Sequence, residues 1–271
     1  MRKKIIILTG NELRHKYFRV KMSNDERFDV IHTYCESDEL SLKNRTLKNE
    51  NSGWLELQHA YAREQSEIDF FQDYLDAAAD KSNPIFIKKG SINDFSVVKG
   101  IEQQNVDLLV CYGASLINPK LIEIYNKKFL NVHLGLSPYY KGSGTNIFPI
   151  IDKRPDLVGA TFMHIDQGID TGNIIHQIRA DFFVGDSVHS VGNRLIKKMT
   201  KIYANLVSKF DDLQQQDQPE ARGKTYFMKD FDGDVCEELY KCYQSDLIFD
   251  YVRNGSMLNN RVRIIEDIAL K

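Results

Sequence analysis

The first apolar run, Ile5-Ile6-Ile7-Leu8, is continuous rather than alternating, and it stops at Thr9-Gly10-Asn11. A strand at residues 4–8 with aliphatic side chains on both faces is buried on both, as in a parallel sheet covered by helices. Residues 12–22 then space their apolar positions for a helix, and strand-like runs recur at 28–34, 84–88, 106–111 and 129–133. Helix-like stretches lie at 96–104 and 116–125, the second opening near Pro119, which suits a first helical turn. This alternation across residues 4–133 predicts an α/β fold with a Rossmann-like open, mostly parallel sheet and right-handed crossovers.

Three segments depart from that rhythm. Residues 41–79 are polar, with Trp54, Leu57, Tyr61, Ile68, Phe71 and Leu75 among apolar residues at helical spacing. The stretch is long for a crossover and reads as a helical insertion near a substrate or partner. Strands are expected at 157–165 and 172–183, followed by a strongly periodic helix at 187–210. Gln, Asp and Pro crowd residues 211–223, which read as a linker, and charged helix formers fill 224–271, a small helical or mixed C-terminal appendage. The expected organisation is therefore a main domain at 1–210, a linker and an appendage.

Composition narrows the function. Hydrophobic residues make up 42% of the 271 positions, enough for a core, so disorder is excluded as the main state. The 36 basic and 38 acidic residues leave a net charge of −2, which argues against a nucleic-acid partner gripped through its backbone. No segment approaches the roughly 18 apolar residues of a membrane span. The apolar run behind Arg2-Lys3-Lys4 is too short for a signal peptide. Cys35, Cys111, Cys236 and Cys242 are dispersed without a CxxC pair, which predicts a reducing, cytoplasmic setting. His164-x-Asp166 lacks a further ligand at metal spacing, so no metal is expected.

The candidate chemistry begins at Asn131-Val132-His133, at the end of a predicted strand. Residues i and i+2 of a strand share a face, so an amide and an imidazole project together where ligands of open α/β sheets bind. An amide can donate to a developing oxyanion, and an imidazole can move protons near neutral pH. Both suit acyl transfer to an amine. A carboxylate beside the ring would stabilise its charged form, and Asp166-Gln167-Gly168-Ile169-Asp170-Thr171-Gly172 supplies candidates in a tight, turn-rich loop. Taken singly, Asn-x-His at a strand end serves structure as readily as catalysis, and Asp-x-Gly-x-Asp is an ordinary turn pattern.

The combination of Asn-x-His, a loop bearing Pro138 and Lys141-Gly142, a strand, and then Asp-x-Gly-Ile-Asp-Thr-Gly resembles the folate-dependent formyltransferases. These include glycinamide ribonucleotide, methionyl-tRNA and amino-sugar formyltransferases. The matching text runs from Leu108 to Phe210. The resemblance implies the formyltransferase fold, an enzyme, and 10-formyltetrahydrofolate as cosubstrate. It implies catalytic roles for Asn131 on the formyl oxygen, His133 in proton transfer and Asp170 in charging the ring or relaying protons. A pterin pocket would be lined by Tyr112, Gly113, Ala114, Leu116 and Ile117 on one side and by Ile165, Gln167, Gly168 and Ile169 on the other.

Gly10, Asn11, Arg14, Lys141, Gly142 and Thr145 are the expected contacts to the amine substrate. Thr9-Gly10-Asn11-Glu12 stands where the purine-pathway members carry a glycine-rich phosphate loop, and it has a single glycine. The tail at 217–271 is unlike the strand-rich barrel of the tRNA enzymes. Lys141-Gly142-Ser143-Gly144-Thr145-Asn146-Ile147-Phe148 looks more like the amino-sugar members, which act on nucleotide-linked amino sugars of surface polysaccharide synthesis. The alternatives are a formyltetrahydrofolate hydrolase, with water as acceptor, and a folate-binding module without turnover. Residues 41–79 or the tail offer surfaces for a homodimer contact.

Overall fold

The computed structural model describes residues 2–220 and 223–270, so positions 221 and 222 of the expected linker and 271 of the expected appendage lie outside it. Its elements in chain order are β1 (Lys3–Thr9), α1 (Leu13–Ser23), β2 (Phe28–Glu36), α2 (Leu42–Lys48), α3 (Trp54–Ala77), β3 (Pro84–Ile87), α4 (Phe95–Gln103), β4 (Leu108–Tyr112), α5 (Pro119–Ile124) and β5 (Phe129–His133). There follow β6 (Tyr140–Gly142), α6 (Phe148–Ile151), β7 (Gly159–His164), β8 (Ile174–Arg179), α7 (Val188–Ser208), β9 (Lys224–Tyr226), α8 (Gly233–Gln244) and α9 (Leu247–Asn259).

The main sheet has the order β3-β2-β1-β4-β5-β7-β8. Strands β1 to β5 pair in parallel, while β7 and β8 close the far edge antiparallel. The order reverses direction between β1 and β4, which opens a crevice beyond the carboxyl ends of those strands. The continuous aliphatic run of β1 now has its reason. Ile5 and Ile7 join Leu108, Val110, Leu130 and Val132 on one face of the sheet, and Ile6 and Leu8 join Leu109, Cys111 and Phe129 on the other. Helices α1, α3 and α7 pack together over the first face. Both faces are covered, so Ile5 to Leu8 are all buried.

Residues 41–79 are the crossover itself and not an insertion beside it, since β2 and β3 are parallel neighbours. The length goes into α3, whose 24 residues rise about 36 Å at ~1.5 Å each. Its aromatic residues divide: Phe71 is buried against Tyr17, whereas Trp54 stands exposed on the surface.

The expected linker is tied down where it is described. Gln216 exchanges backbone hydrogen bonds of 2.8 Å with Ile174, and the Gln218 amide donates to the carbonyls of Asp170 and Gly172. The tail beyond it shares the main core and does not stand apart. Strand β9 pairs with β6, and Leu239, Cys242, Ile248 and Tyr251 enter the cluster built on α7. A segment of roughly fifty residues buries little surface alone, so its amphipathic helices gain most by docking. Leu239→Ala, at a fully buried position, is therefore expected to lower the stability of the entire chain by about 2–5 kcal/mol in urea unfolding followed by circular dichroism, in one transition. A second, separate transition would contradict the shared core.

Candidate active site

The crevice at the strand ends is a cavity of about 960 Å³, at the upper end of the range for ligand pockets. His133 closes β5 and reaches it with a nearly buried ring. Its Nδ1 lies 3.1 Å from Asp170 Oδ2, and its Nε2 lies 2.9 Å from the Tyr140 carbonyl oxygen. Both ring nitrogens thus face oxygens. A neutral imidazole has one N–H and can serve one of them, whereas the imidazolium donates to both. Asp170 Oδ2 also accepts the Gly142 N–H at 2.8 Å, while Oδ1 has no hydrogen bond to the described residues. Asn131 lines the same cavity two residues before His133, half-buried, and its amide makes no hydrogen bond to the described residues.

Local sequence explains this geometry. Asp170 adopts a left-handed backbone, with φ of 53°, inside a loop held by its own polar residues. Asp166 accepts hydrogen bonds from the Gly168 N–H and the Thr171 hydroxyl, and Gln218 fastens the loop from outside. A side chain at Gly172 would overlap the His164 carbonyl, and one at Gly135 would overlap the His133 ring. The turn pattern read in the sequence is therefore the frame that aims one carboxylate at the imidazole.

Most of the other expected contacts also reach the cavity. Tyr112, Gly113, Ala114, Leu116, Ile117, Ile165, Gly168 and Ile169 line it, as do Gly10, Asn11, Gly142 and Thr145. Gln167 does not: it is exposed at the tip of the loop, outside the lining. Lys141 does not either, because it sits mid-strand in β6 opposite Thr225, and strand alternation turns it from the face of its neighbours. Arg14 borders the cavity, but its guanidinium is already paired with Glu67 at 2.8 Å and with Glu12. Cys111, whose thiol burial pushes up to about 12, is no nucleophile. Among the described residues no cluster of His, Cys, Asp and Glu could hold a metal ion.

Further residues line the cavity beside the expected contacts. His15 is buried between Gly10 and Gly113, and its Nδ1 accepts the Glu12 N–H at 3.2 Å. His59 of α3 and His189 of α7 contact each other with ring centroids 4.6 Å apart. Burial lowers His59 to about 3 and His189 to about 4, and their mutual repulsion adds to the shift of His59. Arg45, Arg63, Phe227, Met228 and Phe231 complete the wall. They come from distant helices and from the tail, so no local spacing marks them.

The family described as Formyl transferase matches residues 3–207. Methionyl-tRNA formyltransferase of Blochmanniella pennsylvanica is 27% identical over 133 residues, covering 49% of this chain and 41% of that protein. The counterpart from Caldicellulosiruptor saccharolyticus is 30% identical over 119 residues, covering 44% and 36%. The matched segment thus spans about two fifths of the length of these relatives. A sugar N-formyltransferase from a Shewanella species shares the fold with a TM-score of 0.57 at 16% identity, over 90% of this chain and 88% of that one. The N-formyltransferase of Helicobacter canadensis, in complex with folinic acid and dTDP-3-aminofucose, gives 0.55 at 15% identity, over 90% and 81%. Phosphoribosylglycinamide formyltransferase of Anaplasma phagocytophilum gives 0.54 at 17%, over 84% and 100%.

The neutral imidazoles tie stability to pH. His15, His59 and His189 are held below the ordinary 6.5 in the native state, chiefly by burial. The stability they contribute is complete above that value and is lost as pH falls, because the unfolded chain then binds protons that the native chain refuses. Between about pH 7 and pH 5, urea unfolding is expected to lose up to ~1 kcal/mol per pH unit for each such ring. Replacing His59 and His189 together by Gln should flatten that slope. An unchanged slope would contradict their neutral burial.

Proposed function

The chain belongs to the formyl transferase family, and from that premise we propose that it moves a formyl group from 10-formyltetrahydrofolate to the primary amine of a nucleotide-linked amino sugar. The observation that carries this reading is the contact of His133 with Asp170 on the cavity wall that also presents the unengaged Asn131 amide. The wall suits the donor as well. Leu116 and Ile169 are exposed beside Ala114, Ile117 and Ile165, and covering such apolar surface with a flat ring is favourable.

Bound 10-formyltetrahydrofolate supplies an electrophilic formyl carbon. Asn131 donates to the formyl oxygen as negative charge gathers there, an effect typically worth about 3–4 kcal/mol. His133, held between the Tyr140 carbonyl and Asp170, adds positive charge beside that oxygen when protonated and relays to the leaving nitrogen the proton it exchanges with Asp170. Asp170 balances the ring, and its free Oδ1 takes the proton shed by the attacking amine. Asp170 then passes that proton to His133, which has given its own to the leaving nitrogen, and both return to their starting state while Asn131 only donates its hydrogen bond. The amine must arrive uncharged, and holding it ~3 Å from the carbonyl carbon supplies much of the acceleration.

The acceptor is inferred from two observations. The fold likeness extends to a sugar N-formyltransferase and to an N-formyltransferase in complex with dTDP-3-aminofucose, each over 90% of this chain. The net charge of −2 disfavours a tRNA acceptor, although methionyl-tRNA formyltransferases are among the relatives. Such an enzyme would serve the building of surface polysaccharide.

Purified protein with 10-formyltetrahydrofolate and a panel of dTDP- and UDP-linked amino sugars is expected to yield a formamido product by mass spectrometry. His133→Ala or Asp170→Ala should lower kcat by about 10²–10⁴ with circular dichroism unchanged. Asn131→Ala should lower it by about 10²–10³. Near-native turnover in any of the three, or formate release that needs no amine, would contradict the reading.

A further inference from the structure

One wall of the cavity carries charge that formyl transfer does not use. Arg14, Arg45 and Arg63 border it, facing the carboxylates of Glu12 and Glu67. Those two carboxylates are already taken. Arg14 pairs with both, and Arg63 shares Glu67 at 3.3 Å. Arg45 has no carboxylate partner among the described residues. Its Nε donates to the Leu40 carbonyl at 3.1 Å and its Nη1 to that of Met228 at 3.4 Å. Burial and the nearby charge of Arg63 push Arg45 downward from its ordinary range, against a smaller upward pull from Glu12.

An anion cannot take the seat that open α/β sheets usually offer, the start of the first helix. Glu12 caps α1 there, and its own carboxylate fills the position beside Arg14 and His15. Neutral His59 and His189 add dipoles to the wall but no charge. The binding capacity for an anion has therefore moved to α2 and α3.

Next to Arg45 stands an uncovered apolar platform. Phe227 and Met228 line the cavity while 50% and 45% exposed, and the Met228 carbonyl is one of the two that hold Arg45. The platform connects directly to the reacting centre. Tyr226 pairs with Gly142, whose N–H fixes Asp170, and Met228 lies two residues further, about 7 Å along the chain. A flat ring on Phe227 and an anion on the guanidiniums would thus sit beyond an amine placed at His133.

We propose that Arg45 and Arg63 hold the diphosphate, and Phe227 the base, of a nucleoside-diphosphate-linked acceptor. This rests on the formyl-transfer reading of the His133 site and adds the part of the acceptor that the cavity selects.

The test is calorimetric titration of the full chain with dTDP, UDP and inorganic pyrophosphate, with 5-formyltetrahydrofolate titrated separately. At least one nucleotide is expected to bind the unaltered protein, more weakly as salt is raised. Arg45→Gln and Arg63→Gln should each weaken it by about tenfold or more, equivalent to ~1.4 kcal/mol. Phe227→Ala should weaken the nucleotide by a similar factor and pyrophosphate hardly at all. All three variants should bind 5-formyltetrahydrofolate as the unaltered protein does, which shows the fold intact. Nucleotide affinity that is absent, or unchanged in both arginine variants, would overturn the proposal. So would a tRNA acceptor-stem duplex that displaces dTDP at equal concentration. Failure of the unaltered protein to bind 5-formyltetrahydrofolate would instead strike the formyl-transfer reading, so the two failures are distinct.

Discussion

A single imidazole held between two oxygens organises this molecule. His133 can satisfy the Tyr140 carbonyl and the Asp170 carboxylate together only when both of its nitrogens carry protons. Everything that surrounds it maintains that arrangement. Strand β5 delivers the ring to the end of the sheet, Gly135 leaves it room, and the loop at 166–172 brings the carboxylate in from a distant part of the chain. The Gly142 N–H also donates to Asp170 Oδ2 and fixes the carboxylate against the ring.

The tail takes part in the same construction. Gln218 holds the backbone of the Asp170 loop, β9 holds β6 where Gly142 meets Asp170, and Leu239 and Cys242 anchor α8 in the main core. The C-terminal residues therefore brace the His133–Asp170 contact while contributing Phe227 and Met228 to the cavity wall. One end of the cavity holds the His133–Asp170 contact and the other Arg45, Arg63, Phe227 and Met228, and the same β6–β9 pair connects them.

What could be read from the sequence follows the range of the forces involved. Asn131 and His133 were legible because two residues on one strand share a face by geometry alone. Asp170 was legible because turn residues crowd around it. The parallel sheet showed itself in Ile5–Leu8, which could be apolar throughout only if covered twice. Pairings set by tertiary contact left no such trace. Strands β6 and β9 have three residues each and lie far apart in sequence, so the tail looked detached. The length of 41–79 suggested an insertion because a crossover helix as long as α3 is uncommon. Arg14 is an expected substrate contact, and only the fold brings Glu67, on another helix, against it. His59 and His189 meet only in space, and their neutrality comes from burial that no local pattern announces.

The central claim is that Asn131, His133 and Asp170 surround one reacting carbonyl. The most direct measurement is a crystal structure with 5-formyltetrahydrofolate and a nucleotide-linked amino sugar bound together. The account predicts the formyl oxygen within ~3 Å of the Asn131 amide, the His133 ring beside the formyl group, and the sugar amine approaching from the side of Asp170. A formyl group out of hydrogen-bonding reach of both Asn131 and His133, or a ligand seated away from the β5 end, would contradict it.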